Sequence, residues 1–275
     1  MKLFLDTRWQ QYWQGKDPFA EARALQGDVY RSKEGRRTLR FERDGRGYFL
    51  KLHEGVGWGE IAKNLLQLRA PVLGAANEYH ACLRLKSLGI DTMTPVAFGQ
   101  CGINPATQLS FLVTEELAGT ISLEDYCRPW GEQKPSLREK RTLVRKLATI
   151  SKTLHENGIN HRDYYLCHFL RADDGKPFAS GDRLYLIDLH RVQMRARTPR
   201  RWLVKDIAGL FYSAFDLPLT RRDILCFLAQ YRRDWLHGQA GELREIAQRA
   251  VALYRKDFGR EPPAHILSII QRDVP

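Results

Sequence analysis

The chain has no long apolar run and few cysteines, and these absences exclude several classes of protein. It contains no run of about 18 apolar residues, so the sequence predicts no membrane-spanning helix. The first apolar run, Leu3–Leu5, ends at Asp6 and is too short for a signal peptide. The cysteine count is odd, and no pair has C-x-x-C spacing, so we expect a reducing compartment and no disulfide framework. The five cysteines are Cys82, Cys101, Cys127, Cys167 and Cys226.

Acidic residues are outnumbered by basic ones. The 275 residues include 44 Lys and Arg against 32 Asp and Glu, a net charge of +12. This balance favours an anionic partner, which can be nucleic acid, a phosphorylated small molecule or an acidic membrane surface. The hydrophobic content of 43% and the aromatic content of 11% are typical of a globular chain. The length fits one large domain or two lobes.

The N-terminal part predicts two short helices and then an antiparallel meander. Trp9, Tyr12 and Trp13 have helical spacing, and Asp17 followed by Pro18 is typical of a helix start. Three runs then alternate as strands do, with turns at Glu34-Gly35 and Asp44-Gly45. These strands are expected at 28–33, 37–43 and 47–53.

The pattern changes from strand-rich to helix-rich near residues 115–120. Before the change we predict helices at 59–69 and 76–88 and strands at 94–100 and 109–115. After it, the clearest helix is 136–157. Its start at Ser136, with Glu139 three residues later, indicates a capping box, and Gly158 ends it.

A loop after the long helix and a strand end carry two aspartates suited to phosphoryl transfer. Asp163 lies in His161-Arg162-Asp163, and Asp188 ends the apolar stretch RLYLID. One carboxylate can orient the attacking hydroxyl, and the other can hold Mg²⁺ against phosphates. In protein kinases the two aspartates lie in the motifs H-R-D-x-x-x-x-N and D-F-G, in this order along the chain. The tripeptide alone can arise by chance, but its position between a long helix and a strand favours the kinase interpretation.

Upstream residues fit the same chemistry. Lys51 lies inside the third strand of the meander, and Glu78 lies on a following helix, as the phosphate-positioning lysine and its glutamate partner do in kinases. The alternatives are a lysine on an edge strand with its amine in solvent and an ordinary solvated helix carboxylate. The stretch FLVTEELAG resembles the hinge that meets adenine. Its candidate ATP-binding residues are Thr114, Glu116 and Leu117, within the segment from Thr114 to Leu117.

Within kinase-like folds the sequence resembles the bacterial lipopolysaccharide core heptose (I) kinase family. The stretches that carry the resemblance lie between residues 14 and 235 and include GKDPFAEARALQGDVYR, YFLKLH, KNLLQLRAPVLGA, GINHRDYYLCHFL, IDLHRVQMR and PRRWLVKDIAGL. It implies an α+β, bilobal protein-kinase-like fold, with a small lobe of antiparallel sheet and helices and a larger, mainly helical lobe. The lobes are expected at 1–116 and 117–275. It also implies ATP-dependent phosphorylation of the first heptose of the inner core, with Mg²⁺ or alternatively Mn²⁺.

The resemblance also implies partners and a location. The acceptor is a lipid A–Kdo–heptose glycolipid on an anionic leaflet, so the enzyme is expected in the cytoplasm, peripheral to the inner face of the membrane. Basic side chains near such a surface are attracted to it. Acyl carrier protein, an acidic protein, is a further expected partner, and no nucleic acid is expected. The candidate acceptor-binding residues, which have the solvated charged face as their alternative, are Arg195, Arg197, Arg200 and Arg201.

Several positions depart from the general kinase pattern. The glycine-rich loop is reduced to SKEGRRT, where Arg36 and Arg37 either supply cationic charge or are simply solvated. His168 stands where the metal-binding asparagine is expected, and we predict that it is a metal ligand together with Asp188. Leu189-His190 replaces Phe-Gly, and no A-P-E follows. Asp206 is expected either to hold the catalytic loop from the next helix or to be a plain helix cap.

Three other interpretations use the same residues. His161, Cys167, His168 and His190 can be taken as a zinc set, although their spacing matches no usual structural site. Arginines near aromatic residues can grip phosphates and stack bases in a nucleic-acid-binding protein. A pseudokinase scaffold is the third alternative, because His168 replaces a usual metal ligand.

Overall fold

The computed structural model describes residues 1–33, 35–55, 57–66, 74–232 and 240–273. The chain divides into two compact units. The first contains Met1–Ser87, Thr92–Ala118 and the short segment Leu189–Arg191. The second contains Leu88–Asp91, Gly119–Asp188 and Val192–Pro275. Among the described residues, no helix combines the length and the apolar character that crossing a membrane requires.

The first unit is built on a six-stranded antiparallel sheet with strand order β1-β5-β6-β4-β3-β2. Its strands are β1 (Lys2–Leu5), β2 (Asp28–Lys33), β3 (Arg36–Arg43), β4 (Arg46–Glu54), β5 (Pro95–Cys101) and β6 (Leu109–Glu115). Its helices are α1 (Thr7–Tyr12), α2 (Pro18–Ala24), α3 (Gly57–Leu66) and α4 (Ala76–Ser87).

The predicted meander is confirmed as β2, β3 and β4. The β3–β4 turn has positive φ at Asp44 (50°) and Gly45 (70°), as a tight hairpin requires. Asp17 caps α2 and Pro18 opens it, also as predicted. Glu34 of the other predicted turn lies outside the described residues, as does the part of the predicted helix 59–69 that follows Leu66.

Alternation along β4 sends its side chains to two different environments. Leu50 and Leu52 are buried in a core that also contains the rings of Trp9 and Trp13. Because successive side chains on a strand point to opposite faces, Lys51 lies on the other face of the sheet. In the strand register, Lys51 lies opposite Thr38 of β3 on one side and Leu112 of β6 on the other.

The second unit is mainly helical. Its helices are α5 (Leu123–Cys127), α6 (Leu137–Glu156), α7 (Arg200–Tyr212), α8 (Arg221–Tyr231), α9 (Ala240–Phe258) and α10 (Ala264–Asp273). Short strands accompany them: β7 (Thr120–Ser122), β8 (Ile159–Asn160), β9 (Phe169–Ala172), β10 (Tyr185–Leu186) and β11 (Gln193–Met194). The apolar faces of α7, α8 and α9 share one core that contains Val204, Leu228 and Ala250. This core supports α7, which carries Asp206 toward the catalytic loop.

The long predicted helix is α6, but its capping box is only half formed. The Ser136 hydroxyl accepts from the backbone N–H of Glu139 at 3.1 Å. The Glu139 carboxylate instead accepts from the Tyr126 hydroxyl, so the predicted reciprocal bond is wrong. Gly158 ends the helix as predicted, with φ of 76°. A Cβ there would lie 1.8 Å from the carbonyl oxygen of Arg195, so only glycine fits.

Candidate active site

Lys51 and Glu78 form an ion pair inside the first unit. Lys51 Nζ lies 2.6 Å from Glu78 Oε1, and Glu78 is only 2% exposed. A carboxylate this buried requires a partner, because removing a lone charge from water is costly. Glu78 lies in the first turn of α4, where the helix dipole also favours a negative charge. The alternatives of a solvated carboxylate and of an edge-strand lysine with its amine in solvent are therefore wrong, since β4 lies between β6 and β3 and the amine is paired.

His53 lies two residues beyond Lys51 on the same strand and was not identified from the sequence. Its side chain is 7% exposed, and its Nδ1 has no hydrogen-bond partner among the described residues. Burial, reinforced by the nearby charges of Arg36 and Lys51, lowers the pKa of His53 to about 3. The ring is therefore neutral at physiological pH. The two-residue strand period was the signal that would have placed it beside Lys51.

The predicted hinge follows β6 in the same unit. Thr114 is buried within the sheet, opposite Phe49 of β4. The backbone N–H of Glu116 donates to Gly47, and its carboxylate accepts from Arg40 at 2.7 and 2.9 Å. Glu116 therefore links the residues after β6 to β3 and β4 through its carboxylate and its backbone N–H. This N–H already has an acceptor, the carbonyl oxygen of Gly47. Adenine binding by Thr114, Glu116 and Leu117 stays a prediction.

Asp206 holds the catalytic loop of the second unit. It lies on α7, is 1% exposed, and accepts from the backbone N–H groups of His161 (2.6 Å) and Arg162 (2.8 Å). The predicted loop-holding role is confirmed, and a plain helix cap is excluded because Asp206 lies inside its helix. Arg162 adopts φ of 78°, a left-handed conformation that a non-glycine residue keeps only where its surroundings impose it.

His161 joins the catalytic loop to the strand that precedes Asp188. Its Nε2 lies 2.9 Å from the carbonyl oxygen of Ile187. Burial lowers the pKa of His161, so the ring is neutral and Nε2–H is the donor to this carbonyl. The backbone N–H of Ile187 donates in turn to His168 at 2.9 Å. These contacts fix the two aspartate-bearing segments relative to each other, and Asp188 itself has φ of 60°.

His168 lies between the two aspartates. Its Nδ1 is 2.6 Å from the carbonyl oxygen of Asp163, and its Nε2 is 3.6 Å from Asp188 Oδ2. A carbonyl oxygen only accepts, so Nδ1 carries a hydrogen; when Nε2 carries none, its lone pair lies on the Asp188 side. A lone pair beside a carboxylate oxygen suits a divalent cation. His168 and Asp188 therefore fit the divalent metal ion that the sequence predicts.

The zinc interpretation fails. In the part of the chain that the structure describes, no group of three or more His, Cys, Asp or Glu side chains is placed to hold a metal ion. Zinc in proteins requires three or four such ligands. Mg²⁺ in phosphotransferases needs only one or two protein ligands, because water and substrate phosphates supply the others.

The arginines predicted to bind the acceptor have different surroundings. Arg195 donates to Asn160 and Gln193, both at 2.7 Å. Arg200 pairs with two glutamates of α9, Glu242 and Glu245. Arg197 is exposed, and so is Arg201, whose guanidinium lies over the ring of Trp202. An acceptor-binding role for the four arginines stays a prediction.

Comparisons with known proteins identify the family of the chain. Residues 20–231 match the model of the lipopolysaccharide kinase (Kdo/WaaP) family. The lipopolysaccharide core heptose(I) kinase WaaP of Pseudomonas aeruginosa is 51% identical over 261 residues, which are 93% of this chain and 97% of that protein. WaaP of Escherichia coli is 48% identical over 248 residues, 88% of this chain and 92% of that protein.

A solved structure, WaaP in complex with acyl carrier protein, is 46% identical to this chain. It superposes with a TM-score of 0.81 and covers 92% of this chain and 100% of its own. The expected kinase-like α+β fold is therefore confirmed, and the relatives are named as kinases, as the kinase interpretation predicts. The chain is a phosphotransferase that belongs to the lipopolysaccharide kinase (Kdo/WaaP) family.

Proposed function

We propose that the chain is an ATP-dependent kinase that phosphorylates the first heptose of the lipopolysaccharide inner core. The observation that carries the proposal is the 51% identity, over 93% of the chain, to a heptose(I) kinase. The Lys51–Glu78 pair and the loop held by Asp206 support it, because both are parts that a working kinase requires. A pseudokinase scaffold would need neither.

In this proposal Asp163 accepts the proton of the heptose hydroxyl. The hydroxyl oxygen bonds to the γ-phosphorus of ATP, the bond from phosphorus to the β–γ bridging oxygen breaks, and ADP leaves. Lys51, positioned by Glu78, binds the α- and β-phosphates. His168 and Asp188 would hold Mg²⁺ or Mn²⁺, which would neutralise phosphate charge when bound. Thr114 to Leu117 contact adenine.

The acceptor is an anionic glycolipid, so we place the enzyme in the cytoplasm at the inner face of the membrane. The net charge of +12 supports contact with an anionic leaflet. Arg197 and Arg201 are exposed and offer charge for this contact. Raised salt should then weaken membrane association, because screening acts strongly on exposed charges.

Acyl carrier protein is the proposed protein partner. A relative that is 46% identical has been solved in complex with it, and the basic balance of this chain suits an acidic partner. Copurification of the untagged carrier protein with the tagged full-length chain, in low salt and in high salt, tests the interaction. Absence of the carrier protein at every salt concentration would contradict it.

Mass spectrometry of the lipopolysaccharide core tests the function. A strain that lacks the chain should lose one phosphate from the first heptose, and the wild-type gene should restore it. A gene with Asp163→Ala should be expressed but should not restore it. A core that keeps this phosphate without the chain, when no second kinase is encoded, would overturn the proposal.

A further inference from the structure

A cleft of about 530 Å³ lies in the second unit, next to the catalytic loop. One wall is made by Tyr165, Leu166 and Cys167, which follow Asp163 in the chain. The backbone N–H of Leu166 donates to the hydroxyl of Ser213 at 3.0 Å, which joins this wall to the residues after α7. The volume lies within the range of about 300–1,000 Å³ that is typical of small-molecule sites.

Carboxylates and aromatic rings line the cleft together. Its acidic residues are Glu124, Asp216 and Asp257, and its aromatic residues are Tyr165, Tyr212 and Phe258. The Tyr212 hydroxyl donates to Asp257 Oδ2 at 2.9 Å, which fixes that carboxylate. Asp216 Oδ1 accepts from Tyr254 at 2.7 Å and from Arg260 at 3.4 Å. These bonds leave each carboxylate with further acceptor sites, because an ionised carboxylate has about four.

Phe258 is the most exposed apolar side chain of the cleft. It is 52% exposed at the end of α9, beside Asp257. The apolar C–H face of a sugar ring can pack against such a ring and shield it from water.

The charges around the cleft are unfavourable for an anionic occupant. Three carboxylates line it with one guanidinium, that of Arg128, which is already paired with Asp125. Arg260 beside the cleft is paired with Asp216. A phosphate or carboxylate group entering the cleft would meet like charge. Neutral hydroxyl groups are favoured in the cleft, because each O–H can donate to a carboxylate in a strong, charge-assisted hydrogen bond.

We propose that this cleft binds the neutral, hydroxyl-bearing face of the acceptor sugar and so brings one hydroxyl to Asp163. The inference rests on the proposed function, since it assigns the acceptor of that reaction to named residues. Asp216 and Asp257 bind sugar hydroxyls, and Phe258 packs against the ring. The anionic groups of the glycolipid remain outside the cleft.

Steady-state kinetics with a deacylated, heptose-bearing core oligosaccharide test the proposal. Loss of one hydrogen bond to a charged acceptor should raise the acceptor KM about tenfold in Asp216→Asn and in Asp257→Asn. Phe258→Ser should also raise it. The KM for ATP should be unchanged in all three. Asp173→Asn, which removes the same charge from an exposed position outside the cleft, is the matched control.

Thermal melting of each variant checks that it is folded. Asp216→Asn keeps a side-chain oxygen that can accept from Tyr254, and Phe258 is half exposed, so Asp216→Asn and Phe258→Ser should melt close to the wild type. If the wild type is active and all three variants keep the wild-type acceptor KM, the cleft assignment is wrong and the proposed function stands.

Saturation-transfer NMR with the same oligosaccharide gives a readout that does not need turnover. If the wild type binds the oligosaccharide without phosphorylating it, and the three variants lose the signal, the cleft assignment holds and the proposed function fails. Equal signals in wild type and variants would overturn the cleft assignment. Displacement of the sugar by a basic peptide that becomes phosphorylated would also overturn it, because the carboxylates would then serve a cationic acceptor.

Discussion

The two units hold their functional side chains in different ways. In the first unit, Lys51 and Glu78 project from a regular strand and a regular helix, and their ion pair closes at 2.6 Å. In the second unit, Asp163 and Asp188 lie on irregular backbone, with left-handed residues at Arg162 and Asp188. One buried carboxylate, Asp206, and one buried imidazole, His161, hold that backbone. The first arrangement depends on packing and the second on a few hydrogen bonds, so mutations should affect the two units differently.

The largest effect is expected at Asp163 itself. Asp163→Ala should lower kcat by a factor of about 10² or more, the usual contribution of general-base assistance. The KM for ATP and the melting temperature should stay close to those of the wild type. Asp173→Ala, an exposed acidic residue of the same unit, is the control. A kcat near the wild-type value for Asp163→Ala would show that this loop is not the catalytic loop.

Variants of Asp206 test whether the geometry of the catalytic loop depends on the hydrogen bonds that this carboxylate accepts. Asp206→Ala leaves the N–H groups of His161 and Arg162 without their acceptor, at a cost of about 1–3 kcal/mol for each buried group. We expect both a lower melting temperature and a lower kcat.

Asp206→Asn keeps one acceptor oxygen and should recover part of both losses. If Asp206→Ala lowers only the melting temperature and leaves kcat unchanged, the loop keeps its geometry without this carboxylate.

The ion pair between Lys51 and Glu78 in the first unit can be tested directly by mutation. Lys51→Ala and Glu78→Ala should each lower kcat/KM, because phosphates are no longer positioned. The double variant should lose about 1–3 kcal/mol less than the sum of the two single losses, since contacting residues are coupled. Additive losses in the double-mutant cycle would show that the pair does not act as a unit. Lys63→Ala, on α3 of the same unit, is a control for loss of a positive charge.

His168 should affect the metal requirement more than the maximal rate. Its Nε2 lies 3.6 Å from Asp188 Oδ2, so the ring and the carboxylate can share one cation. His168→Ala should raise the Mg²⁺ concentration for half-maximal rate, and His168→Asn should keep activity through its amide oxygen. Because imidazole is the softer ligand, the wild type should prefer Mn²⁺ more than His168→Asn does. Identical Mg²⁺ and Mn²⁺ titrations for wild type and both variants would exclude a metal contact.

The smallest effect concerns the acid stability of the first unit. The pKa of His53 is lowered to about 3, whereas an unfolded histidine has a pKa of about 6.5. Between these pH values only the unfolded state binds the proton, so the free energy of unfolding falls as the pH falls below about 6.5. At pH 5 the loss is on the order of 1–2 kcal/mol.

His53→Gln should therefore shrink the difference in free energy of unfolding between pH 7 and pH 5, measured by urea denaturation. His80→Gln, at an exposed position on α4, should leave the difference unchanged. An equal pH response in His53→Gln and wild type would contradict a buried neutral His53.

The regular elements were predictable because each rests on a local signal. The runs of β2, β3 and β4 alternate with period two, and Asp17, Ser136 and Gly158 punctuate helices at the expected positions. The capping box at Glu139 failed for a nonlocal reason. Its carboxylate is bound by Tyr126, 13 residues away in sequence, and no pattern within α6 indicates that partner.

The sequence by itself determined the order of the parts and the chemistry available to them: a lysine on a strand, a glutamate on a helix, and two aspartates after the long helix α6. It also offered loop-holding as one of two roles for Asp206, and the structure decided between them. Only the tertiary structure decided the burial of His53, the hydrogen-bonding state of the His168 ring, and the cleft of carboxylates and aromatic rings beside the loop. The physical reason is that local backbone preferences act over a few residues. Burial and charge pairing are set by neighbours that lie tens of residues apart in the chain, as Glu124, Tyr165, Asp216 and Asp257 do.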